Sequence, residues 1–567
     1  MSWNRVLPIC MASALALSAC GSSSSSPSAS AGASTASNVS VQDAVSTATP
    51  IKHLVVIYGE NNSFDHYFGV YPVAANLSGE PAFTAKAGTP AVNGLTTALI
   101  DSNPNSTAAG NGANQKGPFR LDRTEADTLD QTHTYTPEQE AYDNGAMDLF
   151  PEYTGTNTVS STGAFGTPGL VMGYFDGNTV TAYWNYAQNF AMSDNMYTDT
   201  YGPSTPGAIE VVSGQTNGAQ PSTEAAVSGE ILADGAGGYT QIGDADPTGD
   251  TCATGTTSTM SSSNKNIGNL LSEAGITWGG FTGGFDLTQV NPNGTVGCSR
   301  TTLSTVLNSS PNDYVPHHNW FQYYASTANY AHTRPSSPAT IGYTDPLDST
   351  GTPVHHQYDV NDFFSAVSSG NFPSVSYLKA PSIDDGHPGN SDPLDEQRFV
   401  TTVVNFLQQQ PDWKNTAVII TYDDSDGWYD HQYTAPTSSS FDATADQLNG
   451  AGQCTSSGAQ QGIGVQGTVV NGRCGPGTRI PLMVISPYAR SNYVDHTLIT
   501  QASVVQFIED NWLGGKRIGN GSHDATTGSL MGLFDFTNGG STPKLYLDQS
   551  EGTVLTVPPA LPTLPVS

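Results

Sequence analysis

A chain of 567 residues with 50 acidic and 18 basic side chains carries a net charge of −32 and has a pI near 4.3. Such a surface argues against nucleic acid and anionic membranes as partners, since both are held by basic contacts, and it is compatible with an acidic working environment in which protonated carboxylates no longer repel. The length admits several domains or one large α/β unit with long loops.

Arg5 is the only basic residue before a mainly apolar run over 6–17, and Leu17-Ser18-Ala19-Cys20-Gly21 comes next. Residues 1–19 therefore read as an export signal, and the pentad as a bacterial lipobox: cleavage before Cys20 leaves a lipidated cysteine that tethers the protein to a membrane. An ordinary secretory signal with a coincidental cysteine is the alternative. Either one exports the chain, as an envelope lipoprotein of the periplasm or cell surface or as a secreted protein. Residues 20–49, rich in Ser, Ala and Thr, can bury little and form a flexible spacer. No later stretch supplies the roughly 18 apolar residues of a spanning helix. Cys252, Cys298, Cys454 and Cys474 suit two disulfides in an oxidising compartment. Three pairings are open; proximity favours Cys252–Cys298 and Cys454–Cys474, and the lack of any Cys-x-x-Cys disfavours structural zinc.

From residue 50 the pattern alternates. Leu54-Val55-Val56-Ile57, Val375-Ser376-Tyr377-Leu378, Val418-Ile419-Ile420-Thr421 and Leu482-Met483-Val484-Ile485 are β-branched runs of buried strands. Apolar residues at three- and four-residue spacing predict helices over 394–409 and 499–512. The expected class is an α/β sandwich with a mostly parallel or mixed sheet covered on both faces. It spans 50–545, is interrupted by polar surface insertions near 76–118, 214–266 and 434–474, and is succeeded by a tail over 546–567.

In open α/β sheets the site lies beyond the carboxyl ends of the strands. Two predicted strands end there in oxygen ligands: one runs into Glu60-Asn61, the other into Asp423-Asp424-Ser425-Asp426-Gly427. Adjacent aspartates repel unless a divalent cation neutralises them, and Glu60, Asn61, Asp423 and Asp424 form a hard, oxygen-rich set. A solvated turn is the plain alternative for the aspartate run. In Tyr201-Gly202-Pro203-Ser204-Thr205-Pro206-Gly207, Ser204 belongs at or just before a helix N-terminus, where amide groups face a bound anion. It is either a capping serine or a nucleophile touching the metal. The histidines are grouped: His133, His317-His318, His355-His356, His387 and His431. Imidazolium can bind phosphate oxygens and protonate a leaving alkoxide. His387, after a strand and loop, is the strongest candidate, whereas His355, His356 and His431 read as surface or loop residues.

Glu60-Asn61-Asn62-Ser63-Phe64-Asp65-His66-Tyr67-Phe68-Gly69, Tyr422-Asp423-Asp424-Ser425-Asp426-Gly427-Trp428-Tyr429-Asp430-His431 and Ile485-Ser486-Pro487-Tyr488-Ala489-Arg490 together resemble the bacterial phosphoesterase family. That family contains non-haemolytic phospholipases C and AcpA-like acid phosphatases, and the likeness extends over roughly 50–540. It implies an alkaline-phosphatase-like three-layer fold and one divalent metal ion (Ca, Mg, Mn or Zn) held by Glu60, Asn61, Ser204, Asp423 and Asp424. It also implies Ser204 as nucleophile, with His133, His317, His318 and His387 lining the phosphate pocket. Two positions depart from the family pattern: Asn62 stands where Arg is common, and Asp424 where Glu is common. Both leave the oxygen ligands in place.

The resemblance further implies attack by Ser204 on phosphorus, a phosphoserine, protonation of the leaving group by His387 or His318, and hydrolysis by water. Ser204 in place of the threonine usual in the phospholipases, and an end soon after residue 545, favour an acid phosphatase. A phospholipase C acting on phosphatidylcholine-type diesters is the rival. A non-catalytic calcium-binding surface protein is the third possibility, and it requires neither Ser204 at a helix start nor grouped histidines.

Overall fold

The computed structural model describes residues 40–156, 167–223, 227 and 229–562. Its centre is an eight-stranded sheet of β1 (His53–Gly59), β2 (Ala191–Ser193), β3 (Trp278–Thr282), β4 (Gln357–Asp359), β5 (Val375–Lys379), β6 (Thr416–Tyr422), β7 (Leu482–Ile485) and β8 (Tyr493–Asp495). The spatial order is β4-β3-β5-β1-β6-β7-β2-β8. All pairings are parallel except the two made by β7, which runs against β6 and β2.

Mostly parallel strands are covered on both faces, and the continuous apolar runs match that burial. Leu54, Val55, Val56 and Ile57 of β1 are all within 2% of full burial, and each stabilises by about 1.5–3 kcal/mol relative to exposure. The eight main helices are α1 (Phe64–Phe68), α2 (Tyr135–Tyr142), α3 (Thr181–Ala187), α4 (Ser204–Ser213), α5 (Ile267–Glu273), α6 (Val360–Ser368), α7 (Pro393–Gln408) and α8 (Ala502–Trp512). The hydroxyls of Tyr58 and Tyr377 donate to the α4 carbonyls of Gly207 (2.8 Å) and Val211 (3.2 Å), fixing α4 on one face with α5 and α8 beside it. Tyr422, of opposite parity, donates at 2.7 Å to Glu396 of α7 on the other face, where α3 and α6 also pack. The three-layer α/β expectation is met.

The four predicted strands and two predicted helices are present; residues 499 and 500 form a short bridge before α8. The expected signal segment 1–19, Cys20 and the spacer up to residue 39 lie outside the described residues. Residues 40–49 are already part of the folded unit: Ser40 caps a turn of helix (Val41–Ala44), and Thr49 N–H donates to Asn511 Oδ1 at 2.9 Å. At the other end, Leu547 is buried and accepts at 2.7 Å from Asn405 of α7. The insertion over 214–266 is not purely surface, for it builds a small sheet of Ala219–Pro221, Asp246–Pro247 and Thr257–Met260. Disulfides join Cys252 to Cys298 and Cys454 to Cys474. No helix among the described residues is long and apolar enough to cross a membrane.

Candidate active site

Because β1 lies between β5 and β6, the carboxyl ends of three parallel strands are neighbours. They deliver Glu60-Asn61, Lys379 and Asp423-Asp424 to one point. Helix α4 enters from the side with Ser204 as its first residue, after Pro203 in extended conformation. Its close approach depends on Gly207: a Cβ there would lie 2.1 Å from the Asp423 carbonyl oxygen.

The oxygens meet in a closed cluster. Ser204 Oγ lies 3.0 Å from Glu60 Oε2, 3.2 Å from Asp424 Oδ2 and 3.4 Å from Asn61 Oδ1. Asn61, in the left-handed region with φ 56°, donates its N–H to Asp423 Oδ1 at 3.2 Å. Its side-chain amide faces a choice: the atom placed as Oδ1 is 2.8 Å from Glu60 Oε2 and 3.1 Å from Asp423 Oδ1, contacts between acceptors alone. Rotating the amide turns both into hydrogen bonds and lets its oxygen accept from His387 Nε2 at 3.1 Å. A cation among the oxygens resolves the same contacts without rotation. Oxygens held octahedrally about 2.1 Å from an ion sit about 3.0 Å apart, so the spacing fits a hard divalent ion.

Every member is buried: Glu60, Asn61, Ser204, Asp423 and Asp424 are at most 1% exposed. The solvated-turn alternative for Asp423 to Gly427 thereby falls away. Burial drives the Glu60 carboxyl well above the usual range, with Asp423 adding repulsion against the attraction of Lys379. Asp424 is raised for the same first reason. Asp423 goes down: burial opposes its charge, but Lys379 and hydrogen bonds from its neighbours together prevail. Such a set is short of positive charge.

The histidines surround this cluster. His133 Nδ1 is 3.1 Å from Asp426 Oδ1; burial disfavours its charge, but Asp424 and Asp426 prevail and raise its pKa. His318 Nδ1 lies 3.1 Å from Glu60 Oε1, and its ring is parallel to that of His387 at 6.2 Å. His387 is anchored through Nδ1 on the Pro388 carbonyl at 2.7 Å, which aims Nε2 at Asn61. Burial lowers the pKa of both His318 and His387. His317 sits at the rim, edge-on to His318 and 3.2 Å from Asp246, which with Asp244 raises its pKa despite burial. The remaining histidines lie in loops as expected, but not at the surface: His356 is buried against Trp278 and His431 is tied to Asp65. His355 is partly buried, with Nδ1 on the Ala328 carbonyl at 2.9 Å.

Three participants escape sequence reasoning. Lys379 ends β5 and bonds Glu60 and Asp423; a lysine closing a buried run was the available signal. Asp385, next to His387 in the same loop, faces His318. Glu138 of α2 accepts from Gly202 N–H at 2.9 Å and Ser425 Oγ at 3.1 Å, joining the loop before Ser204 to the loop after Asp424.

The family model described as "Phosphoesterase family" matches residues 51–513. The chain belongs to this phosphoesterase family. Similar proteins include a non-haemolytic phospholipase C of Pseudomonas aeruginosa, 24% identical over 87% of this chain and 58% of its own length. Phospholipase C A of Mycobacterium tuberculosis is 24% identical, over 79% of this chain and 71% of its length. This chain therefore spans little more than half of the Pseudomonas relative. Among solved structures, murine ectonucleotide pyrophosphatase/phosphodiesterase 5 matches 63% of this chain and 95% of its own at 9% identity and TM-score 0.30. An alkaline-phosphatase-superfamily protein of Vibrio parahaemolyticus matches 72% of this phosphoesterase and 73% of its own chain at 12% and TM-score 0.24. At such scores the fold class rests on the sheet itself.

Proposed function

We propose that this phosphoesterase is an exported, metal-dependent phosphatase that hydrolyses phosphate monoesters through a phosphoserine on Ser204. The observation that carries this reading is Ser204 Oγ, first residue of α4, within 3.0–3.4 Å of oxygens from Glu60, Asn61 and Asp424. A divalent ion held by Glu60, Asn61, Ser204, Asp423 and Asp424 would supply Lewis acidity to the nucleophile oxygen and the phosphoryl group.

The chain's own groups have separable tasks. Ser204 Oγ–H has carboxylate acceptors in Glu60 and Asp424, so its proton has somewhere to go as the Oγ–P bond forms and the bond to the leaving oxygen breaks. At the start of α4 Thr205 N–H donates to Asp244 Oδ1 at 2.9 Å and Pro206 has no N–H, so the row of helix amides expected for the anion is largely taken and the phosphoryl oxygens depend on the histidines and the ion. His133 and His317, both favoured in the charged form by neighbouring aspartates, bind the dianion. His387 is the acid for the leaving oxygen: burial favours its neutral form, with the proton on Nδ1 toward the Pro388 carbonyl, so Nε2 takes up a proton as the anionic ester binds and passes it to that oxygen. Burial of the whole cluster keeps these charges effective by excluding water.

Ser204, where the phospholipases of the family usually carry threonine, supports the monoester reading. The second reading is a phospholipase C, favoured by the names of the relatives. Export is supported by the N-terminal sequence and the two disulfides.

The test compares wild type and Ser204→Ala on an aryl phosphate, an aryl phosphodiester and phosphatidylcholine, at pH 5 and 8, with and without chelator. Monoester turnover that needs both Ser204 and metal is expected. Lipid cleavage without monoester cleavage transfers the assignment to phospholipase C, and full activity of the alanine variant removes Ser204 as nucleophile.

A further inference from the structure

Lys379 is 1% exposed, and a buried lysine without a partner is among the costliest groups in a fold. Its ammonium bonds Glu60 Oε1, lies 3.1 Å from Asp423 Oδ2 and 5.3 Å from the Tyr58 ring centre. The two carboxylates are divided. One oxygen of each turns to Lys379, while the other, Glu60 Oε2 and Asp423 Oδ1, turns to the Asn61 side that also holds Ser204.

On the Lys379 side stands a second donor shell. His318 Nδ1 is 3.1 Å from Glu60 Oε1 and 3.7 Å from Asp385 Oδ2. Asp385 Oδ2 is buried with no hydrogen-bond partner among the described residues. Ligand atoms of Glu60, His318 and Asp385 all lie within 4.8 Å of one another, the compactness of a metal site. With Asp423 Oδ2 they make three carboxylate oxygens and one imidazole, a set that suits Zn²⁺. The group in contact with both shared carboxylates is an ammonium.

We propose that Lys379 is a built-in cation standing in for a second metal ion, so that this phosphoesterase holds one divalent ion where its ligands could hold two. The inference rests on the proposed reading of the Glu60, Asn61, Ser204, Asp423 and Asp424 oxygens as a metal shell. Charge supports it: Glu60, Asp385, Asp423 and Asp424 bring four carboxylates, one ammonium and one divalent ion offset three of them, and a second divalent ion beside the lysine turns the sum positive in a dry interior. Lys379 is a positioning residue. It fixes Glu60 and Asp423 so that their free oxygens share one ion with Ser204.

The test is metal content per chain after equilibration with Zn²⁺ and desalting, for wild type and Lys379→Met, together with melting temperature over a Zn²⁺ series. Wild type should retain one ion and Lys379→Met two, with Zn²⁺ raising the melting point of the variant more than that of wild type. One ion in both proteins, two in wild type, or a variant that stays unfolded at every Zn²⁺ concentration would overturn the role of Lys379. The proposed function fails separately: no ion in wild type removes the metal reading, and an active Ser204→Ala enzyme with one bound ion removes the nucleophile alone.

Discussion

Two buried acid clusters draw on the Glu60 to Gly69 segment, and they differ in how their charge is met. In the first, Asp65 and Asp430 are bound by Arg479, which donates to Asp65 Oδ1 at 2.9 Å and to both oxygens of Asp430 at 3.0 Å. Its remaining donors reach the carbonyls of Asn93 and Asp194, and His431 closes the other oxygen of Asp65 at 2.6 Å. This knot is saturated, and it ties α1 to the loop after β6. The second cluster gathers Glu60, Asp423, Asp424 and Asp385 around the single ammonium of Lys379. A saturated cluster holds a fold together; an undersaturated one with a hydroxyl aimed into it is prepared for a cation and for chemistry.

The sharpest way to separate them is by substitution. Ser204→Ala should lower kcat on an aryl phosphate by roughly 10⁴-fold or more, as loss of a nucleophile does, while its melting temperature stays near wild type. Arg479→Met should do the reverse. Stranding Asp65 and Asp430 costs about 3–5 kcal/mol of stability, measured by urea denaturation, and the addition of divalent ions should not recover it. Gly207→Ala tests the approach of α4 to the acidic loop: the Cβ would meet the Asp423 carbonyl at 2.1 Å, and displacement of Ser204 should lower kcat by about 10²-fold. Chelation should destabilise only through the second cluster, by about 2.7 kcal/mol if the ion had been present at roughly 100 times its Kd, and re-addition should restore the melting temperature.

The smallest effect is pH dependence in the knot. Burial opposes the charge on His431, but Asp65 prevails and its pKa lies above 6.5 in the folded state. Its stabilisation is therefore complete below the unfolded value near 6.5 and lost as pH rises through the folded one. Asp65 is opposite in sign: His431 and Arg479 outweigh its burial and hold it below 3.8, so its share is present above that value and lost as pH falls through the folded one. Denaturation midpoints across roughly pH 5 to 9 should fall on the alkaline side for wild type, and His431→Gln should flatten that limb. An unchanged slope would remove His431 from the knot.

Much of this arrangement was legible in the residues. Runs such as Leu54-Val55-Val56-Ile57 and Val418-Ile419-Ile420-Thr421 announce buried parallel strands, and the acidic and amide residues at their carboxyl ends announce the site. The two strands at one end of the sheet were not legible: Trp278-Gly279-Gly280-Phe281-Thr282 carries two glycines, and Gln357-Tyr358-Asp359 is too short and polar, so their strand form depends on pairing with neighbours. Ser204 was visible because proline and small residues mark a helix start. Lys379 was not, since one lysine at the end of a strand is ordinary until Glu60 and Asp423 are brought to it from 319 and 44 residues away. His355, His356 and His431 show the converse, histidines whose grouping in sequence has no counterpart in space.

The most direct test of the central claim is mass spectrometry of the metal-loaded enzyme quenched in acid during turnover of an aryl phosphate. A single phosphoryl group on the peptide containing Ser204, absent from the Ser204→Ala protein, is the predicted result. Undiminished turnover by Ser204→Ala, or a phosphoryl group trapped on another residue, would contradict it.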